Sequence, residues 1–565
     1  MNTYQGQPNS KDSLPNSLKA INFDDEWWRG AVIYQVYPRS FRDSNGDGIG
    51  DIPGVLEKID YIASLGVDAL WLSPFFKSPM HDYGYDIADY REVDPIFGSL
   101  ADFDNLVDAA KARDIKIIID QVLSHTSDQH AWFQESKRSH NNPKSDWYIW
   151  ADPGPDGEAP NNWLSVFGGS AWQWHAERQQ YFMHNFLPSQ PDLNYHNEEV
   201  RAQILEEIRF WLERGVDGIR IDAANFCFHD KLLRNNPVKP PEERTGRGFS
   251  PDNPYAAQYH LYDNTQPENL EFMGDIRRLL DSYPNRTSLA EINSENSLST
   301  IAEYTQGQSK LHMGYSFELL SDEFSAAFIR DTVETLERDI GDGWPCWAIS
   351  NHDVQRVVSR WGNGSHTDEF AKCLLAMAAS LRGTLCVYQG EELGFAEAQI
   401  EQHQLKDPFG IRFWPEFKGR DGCRTPIAWD ANLPHGGFSQ VVPWLPVADI
   451  HRGNCVVFQE NDPSSVLNFY RAFLDWRHSQ PILSKGSIRF IECDEPILAF
   501  IREHQERQLL LCFNLGNTEA KTNFTQSFIN PRCVFPTDAP SLILQDEALA
   551  EITLDPYEFV FIEFD

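Results

Sequence analysis

At 565 residues the chain exceeds one ordinary domain, which calls for a large core domain with additions. Hydrophobic residues at 41% with 13% aromatics exclude a disordered chain. A formal charge of −36, from 48 Lys plus Arg against 84 Asp plus Glu, argues against nucleic acid or anionic membranes as partners and for a neutral or cationic ligand. The nine cysteines run from Cys227 to Cys533 with no CxxC pair, which points to reduced thiols and a cytoplasmic location. The polar stretch Met1–Asp25 has no apolar core of a secretory signal, and no run of about 18 apolar residues predicts a membrane span.

From Ala31 onward, strand and helix signals alternate. Strands are expected to end near Tyr37, Ser73, Val122, Asp222, Glu291, Glu318, Asn351 and Gln389. Amphipathic stretches such as GVLEKIDYIASLG, SLADFDNLVDAAKARD, EEVRAQILEEIRFWLERG and LEFMGDIRRLLDSY lie between them, with apolar residues at helical spacing. IRDTVETLERDI and FAKCLLAMAASLRG continue the series, and VLNFYRAFLDWRHS follows the eighth strand. Eight strand–helix units are the arithmetic of a (β/α)8 TIM barrel. An open doubly wound sheet is the competing fold, but no glycine-rich phosphate loop follows any strand.

The barrel is assigned to residues 1–122 and 197–484. Two connections are too long for simple loops: 123–196, an inserted subdomain after strand 3, and 391–462, a second insertion after strand 8. Beyond residue 484, SIRFIEC, PILAFIRE and RQLLLCFN begin a C-terminal all-β domain of sandwich type, residues 485–565.

In a barrel, chemistry sits at the C-terminal strand ends. Asp222 ends strand 4 in GVDGIRIDAA, with Arg220 two residues earlier on the same face. That spacing predicts a carboxylate held ionised at low pKa, although an isolated Arg-x-Asp is ordinarily a structural ion pair. Glu291 ends strand 5, and Asp353 follows strand 7 in SNHD. Asp82, Tyr85 and Asp86 follow strand 2, and His125 follows strand 3. Two carboxylates, one ionised and one protonated, are the equipment of glycoside hydrolysis. Asp222 is the expected nucleophile and Glu291, behind apolar SLA, the expected acid/base of raised pKa. Asp353 would hold sugar hydroxyls.

The segments YQVYPRSFRDSNGDGIGD, DYGYDIADY, DQVLSH, QPDLN, GIRIDAANF, SLAE, SNHD and GRDGCRTPIAW carry a resemblance. In this order they resemble a glycoside hydrolase of the α-amylase family (family 13), in the α-glucosidase and oligo-1,6-glucosidase branch. The resemblance covers nearly the whole chain. It implies a retaining reaction through a glucosyl-Asp222 intermediate, exo-acting on short α-glucosides with no organic cofactor. It places Asp82, Tyr85, His125, Arg220, His352 and Arg420 around the terminal glucose, with Phe167 and Phe186 as apolar walls. Ala223, after the nucleophile, implies α-1,4 preference where valine accompanies α-1,6. The family commonly has Asn where this chain has Ser124.

In Asp43-Ser-Asn45-Gly-Asp47-Gly-Ile49-Gly-Asp51, oxygen ligands alternate with glycines, which suits a hard cation such as Ca²⁺ or Mg²⁺. It is not a full EF-hand, because Gly54 stands at the twelfth position. The resemblance implies a structural cation here, with Ile49 ligating through its backbone oxygen. Two other functions compete with hydrolysis: a transglucosylase or trehalose-synthase-type isomerase using the same site, and a non-catalytic transporter-associated relative. The second would lack catalytic carboxylates and carry a membrane span. The sequence carries no signal of oligomeric state.

Overall fold

The computed structural model describes residues 26–244, 253–362, 367–536, 541–545 and 548–565; the polar stretch 1–25 lies outside them. Short β-branched and apolar runs form eight parallel strands: β1 (Val32–Val36), β2 (Ala69–Leu72), β3 (Lys116–Val122), β4 (Gly218–Asp222), β5 (Thr287–Ile292), β6 (Met313–Ser316), β7 (Cys346–Ala348) and β8 (Thr384–Tyr388). They pair in the order β6-β5-β4-β3-β2-β1-β8-β7. A parallel bridge from Gly314 to Pro345 brings β6 to β7 and nearly closes the barrel.

The strands are buried on both faces, and alternate residues go to two different cores. Val32, Tyr34, Leu70, Leu72, Ile119 and Ile221 join the large core under the helices. Ile33, Ala69, Trp71, Ile118, Leu289 and Tyr315 fill the barrel interior. Strand alternation therefore carries Arg220 and Asp222 inward, opposite in sense to Ile219 and Ile221. Side chains pack the interior, so a substrate meets the barrel's inward-facing carboxylates at the strand ends.

Several elements differ from the periodicity. GVLEKIDYIASLG forms two short helices, Ile52–Glu57 and Ile59–Ser64, broken at Lys58, which leaves helical geometry at φ −106°, ψ 12°. The helix between β5 and β6, Ser297–Thr305, has no counterpart among the amphipathic stretches, because it is short and rich in Ser and Thr. Strand β6 stops at Ser316, two residues before Glu318.

The chain leaves the barrel after β3 and returns beside its exit, with His125 bridged to Asp192 and Tyr148 to Leu193. Between them lies a small three-stranded sheet of Trp150–Ala151, Gln180–Met183 and Trp172–His175. Its own core includes Trp163, Trp172 and Met183. A third long connection, between β4 and the helix Glu268–Asp281, went unrecognised in the sequence. It docks on the inserted subdomain through Trp163 Nε1 to Arg234 O (2.8 Å) and Gln258 Nε2 to Asn162 O (2.7 Å).

The segment after β8 folds back onto the β1 loop. Trp429 Nε1 donates to Phe41 O (2.8 Å) and Arg42 Nη1 donates to Phe438 O (2.8 Å). At the C-terminus, five antiparallel strands (Ser487–Ile491, Ile497–His504, Arg507–Asn514, Phe559–Phe564 and Arg532–Phe535) face a second sheet of Ala520–Ile529, Ala548–Leu554 and Ser541–Gln545. Ile501, Leu510 and Ile562 of the first sheet pack with Phe528, Ile552 and Leu554 of the second. Among the described residues, no helix is long and apolar enough to cross a membrane.

Candidate active site

Arg220 is the first hub of the site. Its side chain is wholly buried, and it meets three carboxylates at once. Nη1 lies 2.7 Å from Asp120 Oδ1 and 2.6 Å from Asp222 Oδ1, and Nη2 lies 2.5 Å from Glu291 Oε1. Strand register builds this cluster, because Asp120 and Arg220 are cross-strand partners, as are Glu291 and Tyr315. Asp120 is held from below by Trp71 Nε1 (3.3 Å) and by the Tyr85 hydroxyl (3.1 Å).

One guanidinium cannot neutralise three carboxylates, and this changes their acidity. Burial pushes Asp222 up to about 7, with Asp120 adding to the rise and Arg220 opposing it. Burial likewise takes Glu291 to about 7, with the Asp222 and Asp353 charges adding to it, and Asp120 to about 6. The Arg-x-Asp spacing alone predicts a low-pKa Asp222. The structure corrects this: Arg220 is shared, and desolvation outweighs its share. Glu291 rises as its apolar setting predicts.

Ala223, next to Asp222, adopts a left-handed conformation (φ 42°, ψ 50°). This corner aims its N–H at Glu291 Oε2, 3.2 Å away. The Tyr315 hydroxyl donates to the other oxygen, Oε1, at 2.9 Å.

The second hub is Arg420. It reaches Asp82 Oδ1 (2.9 Å), Asp353 Oδ1 (3.1 Å) and Asp407 Oδ1 (2.8 Å). Arg424 lies behind, donating to Asp353 Oδ1 (2.8 Å) and to His352 O (2.7 Å). Burial opposes ionisation of Asp353, but the Arg420 and Arg424 cations hold it below the usual carboxylate range. Asp82 goes the other way: burial raises it to about 6 against the pull of Arg420. His125 is pushed down to about 4 and His352 to about 3, both by burial, so both rings are neutral at pH 7.

Between the hubs lies a cleft that is open at its mouth. Asp222, Glu291 and Asp353 line it, with Asp82, Tyr85, His125 and Arg420. Phe167, Phe186 and Ala223 line it too. The Phe186 ring lies 5.0 Å from His125 and 6.2 Å from Phe167, forming an aromatic wall from the inserted subdomain. Two expected sugar neighbours do not line the cleft. Arg220 is fully buried beneath the carboxylates, because its cation must stay paired. His352 is also fully buried, stacked on Tyr85 at 5.3 Å, hydrogen-bonded to its hydroxyl and placed 2.8 Å from Gln35 Nε2.

Residues 35–486 match the family model for the catalytic domain of α-amylase. The chain belongs to the α-amylase family. It is a glycoside hydrolase of the α-glucosidase and oligo-1,6-glucosidase branch. A probable alpha-glucosidase of Rhizobium meliloti (strain 1021) is 51% identical over 511 residues, covering 90% of this chain and 93% of the relative. An oligo-1,6-glucosidase of Heyndrickxia coagulans is 37% identical over 529 residues, covering 87% and 92%. Among solved structures, the alpha-glucosyl transfer enzyme XgtA superposes with a TM-score of 0.93 at 56% identity, covering 96% of this chain and all of that one.

Within this α-amylase-family cleft, five lining residues escaped sequence reasoning: Val166, Phe226, Asn293, Phe317 and Phe409. Phe226 closes the motif GIRIDAANF and was open to detection there. Phe409 was not, since it arrives from the insertion after β8, where its ring packs 5.1 Å from Phe167. Asp407 and Tyr315 were missed for the same reason: only the fold brings them to Arg420 and Glu291.

The loop from Asp43 to Asp51 lies in the β1 connection. Gly46 N and Gly48 N donate to Asp43 (2.7 and 2.9 Å), Asp47 N to Asn45 (2.9 Å) and Ile49 N to Asp47 (2.8 Å). Asp51 caps the helix Ile52–Glu57 through Gly54 N (2.6 Å). Gly46 and Gly48 take φ of 80° and 92°, which a side chain would resist. Among the described residues, no three His, Cys, Asp or Glu side chains group as a metal cluster. All nine cysteines are free thiols.

Proposed function

We propose that this enzyme is an exo-acting, retaining α-glucosidase that releases glucose from the non-reducing end of short α-glucosides. The observation that carries the reading is the sharing of Arg220 by Asp222 and Glu291. A common guanidinium draws the two carboxyl groups together. That favours the separation of about 5–5.5 Å of retaining enzymes over the wider gap that admits a water. The exo mode is part of the same reading: Arg420, tied to Asp82 and Asp407, lines the cleft and would face the terminal glucose.

In the first half-reaction Asp222 attacks the anomeric carbon. The glycosidic C–O bond breaks with its electron pair on the leaving oxygen, which takes the Glu291 proton. Glu291 Oε2 is the oxygen suited to carry that proton, since Oε1 takes both Arg220 and Tyr315 whereas Oε2 takes only the Ala223 N–H at 3.2 Å. In the second half, water attacks the same carbon, Glu291 takes back a proton, and the bond electrons return to Asp222. Asp353, held anionic, takes hydroxyl hydrogens of the bound ring.

Glucosyl transfer is the second reading, favoured by the 56% identity to a glucosyl transfer enzyme. There a sugar or other hydroxyl replaces water in the second half. The α-1,4 preference rests on Ala223 beside Asp222. A divalent cation in the 43–51 loop is part of the same reading, held by Asp43, Asn45, Asp47, Asp51 and the Ile49 carbonyl as a structural element. The free thiols support a reducing, cytoplasmic setting.

A linkage panel tests the function: maltose, isomaltose, sucrose, trehalose and a chromogenic α-glucoside, with product identification and the anomer of released glucose. Initial release of β-glucose would rule out retention. Oligosaccharide products outweighing glucose at high maltose would replace hydrolysis with transfer.

A further inference from the structure

We propose that Tyr315 is a positioning residue whose hydroxyl, wedged between Arg220 and Glu291, favours the carboxylate form of Glu291 and so drives the second half of the reaction. The inference rests on the reading of Glu291 as the acid/base.

Tyr315 projects into the barrel interior from β6 and is 1% exposed. Its register partner on β5 is Glu291. The oxygen lies 2.8 Å from Arg220 Nη2 and 3.3 Å from Arg220 Nε. A guanidinium has hydrogens to give and no lone pair to offer. The tyrosine oxygen must therefore accept from Arg220, and its single hydrogen is committed to Glu291 Oε1, 2.9 Å away. The direction of this bond is thus decided without seeing the hydrogen.

A hydrogen bond donated to a carboxyl oxygen stabilises the anion more than the acid. Glu291 meets groups pulling both ways. From β4, Arg220 and the Ala223 N–H favour the carboxylate, whereas Asp222 disfavours it. From the β7 loop, Asp353 disfavours it as well. Asp120 of β3 acts through Arg220, whose charge it shares. From β6, Tyr315 tips this balance towards the anion. The anion is what glucosyl transfer to water needs, since Glu291 must then accept the water proton. Tyr315 keeps its own hydrogen throughout, and no further reactant is required.

The test is Tyr315→Phe, which keeps the ring and leaves Arg220 and Glu291 in contact with each other. Its basic limb in kcat/KM should move up by about half to one pH unit, the size of one lost hydrogen bond. On an activated aryl α-glucoside kcat reports the second half and should fall about three- to tenfold. On that substrate kcat/KM, which reports the first half, should hardly change. Site-specific 3-fluorotyrosine at position 315, a stronger donor of the same shape, should move the limb down.

An unmoved limb with an unchanged ratio of kcat to kcat/KM in Tyr315→Phe overturns the proposal. So does an equal fall in both with a lowered Tm and no pH effect, which would mark a packing role. If the Phe variant does not fold, the direction of the fluorotyrosine shift decides alone. Glu291→Gln separates the two levels. Equal loss on activated and poor leaving groups sinks the acid/base reading and this inference with it. Leaving-group-dependent loss beside a silent Tyr315→Phe sinks this inference alone.

Discussion

Asp407 grips Arg420 along one edge of its guanidinium: Nη2 donates to Oδ1 at 2.8 Å and Nε to Oδ2 at 3.1 Å, while the Arg420 backbone N–H adds 2.8 Å to Oδ2. Asp407 is fully buried, so this clamp is dry and preorganised. Asp407→Asn should leave Arg420 loosely held between Asp82 and Asp353. KM for maltose should rise about tenfold or more with a smaller loss in kcat, because binding geometry rather than chemistry is disturbed. Asp407→Ala should also lower stability, by up to about 3–5 kcal/mol, since the buried Arg420 loses one of its three carboxylates. Steady-state kinetics and thermal unfolding check both.

Asp222→Asn should abolish turnover with the fold intact, a loss on the order of 10⁴-fold or more. Retention of a tenth of wild-type activity would exclude Asp222 as nucleophile. Glu291→Gln should fail chiefly on poor leaving groups, which need protonation that activated aryl glucosides do without.

The pH dependence follows from the shared proton. Burial raises Asp222 and Glu291 each to about 7, so one proton stays on the pair at neutral pH. Its loss as pH rises removes the general acid, and kcat/KM should fall above about pH 7. Uptake of a second proton at lower pH neutralises the nucleophile and closes the acid side. Both limbs belong to the pair and not to either residue. A profile of kcat/KM flat from pH 6 to 9 would contradict this.

The 43–51 loop bonds away from the catalytic carboxylates: Asp43 accepts from Gly46, Gly48 and Ser439, and the Gly48 carbonyl accepts from Trp444 N. Chelation should therefore lower Tm through lost ligand linkage, without a metal requirement in the chemistry of the folded enzyme. Asp43→Ala should do the same and make Tm insensitive to added Ca²⁺ or Mg²⁺. Differential scanning with and without chelator is the measurement.

Linkage preference is predicted from Ala223. Maltose should be hydrolysed with higher kcat/KM than isomaltose, and Ala223→Val should narrow or reverse the ratio, a change of about 1–3 kcal/mol. The left-handed φ of 42° adds a second consequence. A β-branched residue resists this conformation, so Ala223→Val should also lower Tm. Ala223→Gly accepts the corner without bulk. If Gly alters the ratio as Val does, the backbone corner and not the side chain sets the preference.

The barrel was legible because eight strand signals appear in series, with helical periodicity in seven of the eight connections, and because turn residues bracket each strand. Carboxylates at strand ends were legible for the same reason: position along a barrel strand already tells which residues reach the mouth. The helix Ser297–Thr305 was not, since a short polar helix owes its existence to packing against β6 and its neighbours. The excursion after β4 was not legible either, because its apolar residues pair with Trp163 and the inserted sheet and show no periodicity of their own.

What the sequence by itself determined is the architecture, the three carboxylates and the aromatic walls, each written in a local pattern or motif. Only the tertiary structure decided their electrostatics. Arg220 next to Asp222 reads locally as one cation for one anion, whereas register across β3, β4 and β5 brings Asp120 and Glu291 to the same guanidinium. The same folding took Arg220 and His352 out of the cleft, brought Phe409 to it, and set Asp407 and Tyr315 beneath it against Arg420 and Glu291. Charge balance and desolvation are sums over everything within a few ångströms, and those neighbours come from strands and insertions far apart in the chain.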